Sequence, residues 1–450
     1  MRNKEALSET IRASMERHAV PGVALGIYDG GEELTEGFGV TSAENPLPVD
    51  SGTLFQIGSI TKTVTATAIV VLAERGMLDL DEPVSTYLPD LRLADEEVAR
   101  KVTTAHLLTH VGGWVGDVFE DTGYGDDALE KIVRRLADAP QLTPLGEVWS
   151  YNNSGFYIAG RVVEVVSGKA FEAAVRELVL GPLGMDRSFF FPGEVMTRRF
   201  VVGHLVRDGE PSVSRPWALP RNFAAAGGLA SSAKDQVRYA RFHLGGGVPG
   251  GTEILGEGPL REMRRARVSG EGDDGQGLAW MLSDVGGLRF VAHGGDTNGQ
   301  NSAFWMVPEK DFAFVLLTNA DRGDLVCKEV SEWVRREFLG VQEEEPEPIE
   351  VPEAELEEYA GCYVVGGTGD TVDLRAEGEA LRFEETYGDR SMIFETIPEP
   401  PPRARARFYA RDRLILVDGP HKGATAEFLR GPEGCIRWLR AGRIYARQGC

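Results

Sequence analysis

The stretch "LFQIGSITKTVTATAIVVLAERG", Leu54 to Gly76, decides how the chain is read. It sets Ser59 three residues before Lys62, at the head of a run rich in Ala, Ile, Val and Leu. Residues three apart on a helix share a face, one turn from each other. Serine is a weak nucleophile until a base takes its proton, and first-turn amides with the helix dipole would stabilise negative charge at Ser59. Among apolar neighbours, desolvation favours the neutral form of Lys62, while a nearby anion favours its charged form. Spacing alone leaves the plain alternative open, an N-capping serine followed by a solvated lysine. "SSAK", Ser231 to Lys234, carries the same Ser-x-x-Lys pattern, so the pattern by itself selects no site.

Two further stretches add chemistry. "SYNNSGFYIAGRVVEVVSG" (150–168) places Tyr151 and Asn153 immediately before a predicted helix. A phenol titrates near about 10, and an adjacent ammonium lowers it toward a useful base. Asn153 offers both a donor and an acceptor, suited to holding Lys62 and a substrate amide. "FVAHGGDTNGQNSAFWMVP" (290–308) puts His293, Gly294 and Gly295 at the end of a predicted strand, where glycine allows a substrate backbone to come close. An ordinary strand-to-loop transition would look the same.

The rest of the chain bounds the reading. With 450 residues, two domains are the default. A formal charge of −22 argues against nucleic acid or an anionic membrane surface as partner. The N-terminus is polar and amphipathic, without the apolar region of a secretory signal. No apolar run approaches the roughly 18 residues of a membrane span, so a cytoplasmic location is expected. Cys327, Cys362, Cys435 and Cys450 lack zinc spacing and read as free thiols. G-x-S-x-G, P-loop and H-E-x-x-H patterns are missing. His106 and His110 have chelating spacing but no evident third ligand, and read as structural.

Residues 5–18 read as a helix, and 22–40 as two strands joined by a Gly-rich turn. The pattern from about 80 to 245 is mostly helical; strands return at "GQGLAWML", "GLRFVAHGG", "NSAFWMVPE" and "DFAFVLLTN", before a helix at "LVCKEVSEWVRREFL". A sheet built from both ends of a segment, with a helical region inserted, fits that order. "VQEEEPEPIEVPE" (341–353) reads as a linker. Nine short strand-like runs follow, among them "SMIFETI" and "RIYAR", with a Pro-rich interruption at "PEPPPRARAR"; a small all-β barrel is expected.

Ser59-x-x-Lys62, Tyr151-x-Asn153 and His293-Gly294-Gly295, in that order, resemble the three motifs of the serine β-lactamase and penicillin-binding-protein superfamily. They are most similar to its class C β-lactamase-like group of D-aminopeptidases, DD-carboxypeptidases and esterases. "HLLTHVGGW" and "AAAGGLASSAKDQVRYARF" resemble two further landmarks of that group, which places Ser231 and Lys234 in a structural helix start. The resemblance covers residues 1 to about 340. "LEEYAGCY" (356–363) is similar to the opening of a lipocalin-like barrel appended to some members.

The resemblance implies an α+β fold: an antiparallel sheet flanked by helices with an all-helical lobe, in residues 1–340. A barrel in 354–450 follows the linker. It also implies an acyl-enzyme on Ser59, with Tyr151 coupled to Lys62 as proton acceptor and donor. The amides of Ser59 and Asp296 form the oxyanion hole, Asn153 positions the substrate, and His293 lines the pocket and hydrogen-bonds near Tyr151. No metal or organic cofactor is called for. Penicillin-handling members commonly have Lys-Thr-Gly at the third motif, and a mostly neutral imidazole clamps a carboxylate less well than lysine. Weak or no β-lactam hydrolysis is therefore expected. The substrate expected is a small molecule or short peptide, D-residues among them, cleaved by a peptidase or amidase. Carboxylesterase is the alternative within the family, and a silent ligand-binding protein the alternative outside enzymes. The barrel is expected to govern access or homo-oligomer assembly, not the chemical step.

Overall fold

The computed structural model describes residues 3–248, 250–388 and 399–449. Helix α1 (Lys4–His18) leads into strands β1 (Gly22–Asp29) and β2 (Glu32–Gly39). The remaining strands of their sheet come from far along the chain. They are β3 (Val268–Ser269), β4 (Gly275–Gln276), β5 (Met281–Val285), β6 (Leu288–Thr297), β7 (Gln300–Val307) and β8 (Phe312–Thr318). The order is β2-β1-β8-β7-β6-β5-β4-β3, and every pairing is antiparallel. All seven residues of β8, "FAFVLLT", are buried, because both sheet faces are covered. One face packs on α1 and helix α5 (Gly323–Val334), around Leu7, Ile11, Phe314 and Val330. The opposite face packs toward helices α2 (Thr61–Glu74), α3 (Asn153–Ser167) and α4 (Ala233–Leu244).

Helix α2 runs through the core with every residue from Thr61 to Leu72 buried. Its threonines tolerate this because their hydroxyls return to carbonyls. Thr63 donates to Ile60 O at 2.8 Å, Thr67 to Thr63 O at 2.9 Å, and Thr65 to Ala225 O at 2.8 Å. Shorter helices of the inserted segment, such as Ala128–Arg135, pack beside α3 and complete the helical lobe.

Eight strands between Gly361 and Arg447 form a closed barrel. Its strands are β9 (Gly361–Val365), β10 (Thr371–Glu377), β11 (Ala380–Thr386), β12 (Ala404–Ala410), β13 (Arg413–Leu416), β14 (Thr425–Arg430), β15 (Ile436–Ala441) and β16 (Arg443–Arg447), and β9 closes on β16. The run "SMIFETI" (391–397) lies outside the described residues. Strand β12 begins at Ala404, inside the stretch expected to interrupt the barrel. Ala404, Ala406 and Phe408 point inward while Arg405 is exposed, so the period-2 signal is present but written in alanine, a weak strand former.

Candidate active site

Ser59 sits on a 3-10 turn, Gly58–Ile60, that feeds directly into α2. Two glycines let this turn press against β6. Gly58 has φ +52°, and a Cβ there would lie 2.6 Å from Asp296 N. A Cβ on Gly295 would come within 2.0 Å of Ile57 O, whereas one on Gly294 meets nothing nearer than Ser302 O at 3.6 Å. These glycines were expected to admit a substrate backbone; Gly295 instead admits the protein's own nucleophile turn. Gly295→Ala is therefore expected to cost about 1–3 kcal/mol and lower the thermal midpoint, while Gly294→Ala leaves it near the parent value. Thermal unfolding of the two variants checks the contrast.

Lys62 is 0 % exposed. Its Nζ donates to Ala226 O at 2.6 Å and lies 3.1 Å from Ser59 Oγ. It also stands 4.9 Å from the centre of the Tyr151 ring. Burial holds the pKa of Lys62 well below that of an ordinary lysine; Asp117 opposes the shift and Arg443 adds to it. A neutral Nζ keeps a lone pair, which at this distance can receive the Ser59 proton.

Tyr151 is 8 % exposed. Its hydroxyl makes no hydrogen bond of good geometry, although Ser59 lies near enough to draw its pKa down against the larger upward push of burial. The phenol is thus held neutral, contrary to the expectation that an ammonium lowers it toward a base. The His110 ring stacks on Tyr151 at 4.5 Å and 29°, and His110 Nδ1 accepts from Asn152 N at 3.0 Å. Asn152 in turn caps α3, its Oδ1 accepting from Gly155 N at 2.7 Å, which fixes Tyr151 and Asn153 on either side of the cap.

Asn153 does not hold Lys62. Its Nδ2 donates to Asp117 Oδ1 at 2.6 Å. His293 is 2 % exposed, and its Nδ1 donates to Gly294 O at 2.6 Å. Its ring centre lies 6.0 Å from that of Tyr151. Burial first, then the charge of Lys62, pushes the His293 pKa down to about 3. The imidazole is neutral, so it offers no cationic clamp.

A cavity of about 390 Å³ opens at Ser59, walled by Asn153, Asp117, Asp296, Arg443 and Tyr445 among others. Arg443 and Tyr445 belong to the barrel, which was expected to stand apart from the chemistry. The Arg443 guanidinium pairs with Asp117 through Nε, with Nη2 3.5 Å from Oδ1, and lies 5.2 Å above the Tyr151 ring. The turn between β15 and β16 docks on the second motif: Tyr151 N donates to Gly442 O at 3.0 Å and Ile444 N to Ser150 Oγ at 3.2 Å. Asp117, His110 and Arg443 were not singled out from the sequence as site residues. "HLLTHVGGW" marks the neighbourhood of the first two, but nothing in one sequence marks Arg443.

Ser231, by contrast, is tied to Ser188 Oγ at 2.8 Å and to Gln236 Nε2 at 2.9 Å, and Ser232 caps α4. Lys234 is exposed. Among the described residues no group of three or more His, Cys, Asp or Glu could hold a metal ion, and no helix is long and apolar enough to cross a membrane.

A family model described as beta-lactamase matches residues 7–329. The chain belongs to the β-lactamase family. Penicillin-binding protein 4 of Amycolatopsis lactamdurans is 35% identical over 359 residues, 76% of this chain and 94% of that protein. Esterase EstB of Burkholderia gladioli is 36% identical over 219 residues, 45% of this chain and 54% of that protein. The crystal structure of SurE superposes with a TM-score of 0.77 at 25% identity, covering 98% of both chains, and SurE has also been solved with D-Leu. The chain is accordingly a hydrolase of the β-lactamase family's serine type, and its barrel shares in an architecture that extends over the full length of SurE.

Proposed function

We propose that the protein is a peptidase or amidase acting on small peptides, D-residues among them, through an acyl-enzyme on Ser59. The observation that carries this is the contact of Ser59 Oγ with a fully buried, neutral-leaning Lys62 Nζ at 3.1 Å, at the floor of a cavity of about 390 Å³. Lys62 takes the Ser59 proton as Oγ adds to the carbonyl. The amides of Ser59 and Asp296 face the developing oxyanion, and Tyr151 passes a proton to the departing amine. Water then releases the acid. The likeness to SurE, solved with D-Leu, supports a D-configured residue at the scissile bond. In this reading residues 1–340 are the hydrolase domain, 341–353 the linker and 354–450 the barrel domain.

Carboxylesterase is the second reading, supported by the identity to Esterase EstB over 219 residues. Purified protein assayed against p-nitrophenyl esters, D- and L-aminoacyl anilides and nitrocefin, with Ser59→Ala as blank, separates the two. Turnover of D-aminoacyl anilides supports the first reading, and turnover of esters alone the second. A protein that turns over none of them, and takes no covalent probe, is a ligand-binding member. The neutral His293 predicts a further outcome: nitrocefin turnover at least about tenfold below that of the best anilide or ester.

A further inference from the structure

We propose that Arg443, delivered by the barrel, is a positioning residue of the hydrolase: by pairing with Asp117 it secures Asn153 and neutralises the carboxylate that acts on Lys62. This rests on the acyl-enzyme reading above and assigns the barrel a part in the chemical step.

The geometry is a chain of three side chains from three distant segments. Asp117 is 4 % exposed and Arg443 keeps 36 % of its side chain open toward the cavity. Asp117 uses one carboxylate oxygen for Arg443 Nε and the other for Asn153 Nδ2. The arginine is held in place by the turn that carries it. Gly442 lends its carbonyl to Tyr151 N and gives its own N–H to Glu271 Oε2 at 2.7 Å. Nearby, Arg440 Nη1 reaches Trp149 O at 3.3 Å. The barrel therefore grips the second motif from both sides of Arg443, through Arg440 and Gly442 before it and Ile444, on Ser150 Oγ, after it.

The electrostatic consequence follows from what faces Lys62. His110, His293 and Tyr151 are neutral neighbours, each buried with a pKa shifted toward its uncharged form. Asp117 favours a charged Lys62 and Arg443 disfavours it; Asp296, Asp370 and Glu385 are the other carboxylates on the cavity wall. With Arg443 in place the Asp117 pair is neutral as a unit, and desolvation decides the state of Lys62. Without it, a buried carboxylate is left uncompensated and Lys62 gains an opposing charge. An opposing charge shifts a titrating group toward its charged form, by about 1–3 pKa units where the two are close. The sign is fixed: Lys62 must be neutral to accept the Ser59 proton, so raising its pKa moves the acid limb of reactivity to higher pH.

The test uses the full chain and the rate of fluorophosphonate labelling at Ser59 against pH, which needs no knowledge of the substrate. Arg443→Gln is expected to move the acid limb up by at least about one pH unit and to slow labelling about tenfold on that limb. Asp117→Asn combined with Arg443→Gln is expected to bring the limb back, which a merely structural loss would not do. Arg443→Lys, which keeps the charge without the planar fork, is expected to keep the limb at the parent position. If Arg443→Gln folds with an unmoved limb, or the double variant retains the shift, the proposal is wrong. If Arg443→Gln does not fold, Arg443→Lys and the double variant decide: a displaced limb in either overturns the proposal. A parent chain that never labels at Ser59 would instead remove the acyl-enzyme reading itself.

Discussion

Ser59→Ala is expected to abolish covalent labelling by a fluorophosphonate and to lower turnover by about 10⁴-fold or more, the scale of losing a nucleophile. The size follows from the site having one hydroxyl in contact with a buried amine. Lys62 Nζ has two hydrogen-bond partners, Ser59 Oγ and Ala226 O, and the second is a carbonyl with no proton to give. Removing Oγ leaves the fold intact, because the turn is held by backbone and by glycine contacts with β6, not by the serine side chain. Binding of substrate should persist, since Asn153, Asp296 and the barrel wall remain. The second Ser-x-x-Lys provides the internal control. Ser231→Ala should leave one adduct per chain, as Ser231 is fully buried and bonded to Ser188 and Gln236. Intact-mass spectrometry of the two variants after labelling decides the matter, and an adduct on Ser59→Ala would overturn the assignment.

How far this site was legible depends on whether its contacts are local. The relation of Ser59 to Lys62 is a property of one helical turn, and the apolar run after it already announced a buried helix. The same holds for Tyr151, placed one residue ahead of the Asn152 cap. Contacts that cross the chain were not legible. Asn153 could pair with any carboxylate, and only the folded path of the 111–119 loop brings Asp117 to it. His293 lies on β6 opposite Phe304 of β7, and its burial in the fold, not its residue type, makes it a neutral ring bonded to Gly294 O. The barrel was visible as a series of short strands, yet its docking joins Gly442 and Arg443 to residues some three hundred positions earlier. A polar, Pro-rich linker is equally compatible with an independent appendage, and here the appendage is part of the active-site wall.

Tyr151→Phe tests the division of labour that the structure implies. The phenol is pushed upward by burial, and the proton acceptor within reach of Ser59 is Lys62 Nζ, whose pKa burial lowers. On that geometry Tyr151 acts chiefly when the tetrahedral intermediate collapses, giving its proton to the leaving group and recovering one through Lys62. An amine cannot leave without that proton, whereas p-nitrophenolate leaves unprotonated. Tyr151→Phe should therefore lower kcat/KM on aminoacyl anilides by at least about a hundredfold, the scale of losing a general acid or base. On p-nitrophenyl esters of the same acyl group the loss should be about tenfold or less. The ring itself stays, so its stack on His110 and its place beneath Arg443 persist, and KM should change little. Equal losses on both substrate types would show that the phenol, not Lys62, removes the Ser59 proton. Parent-like turnover of the anilides would show that Lys62 carries both proton transfers alone.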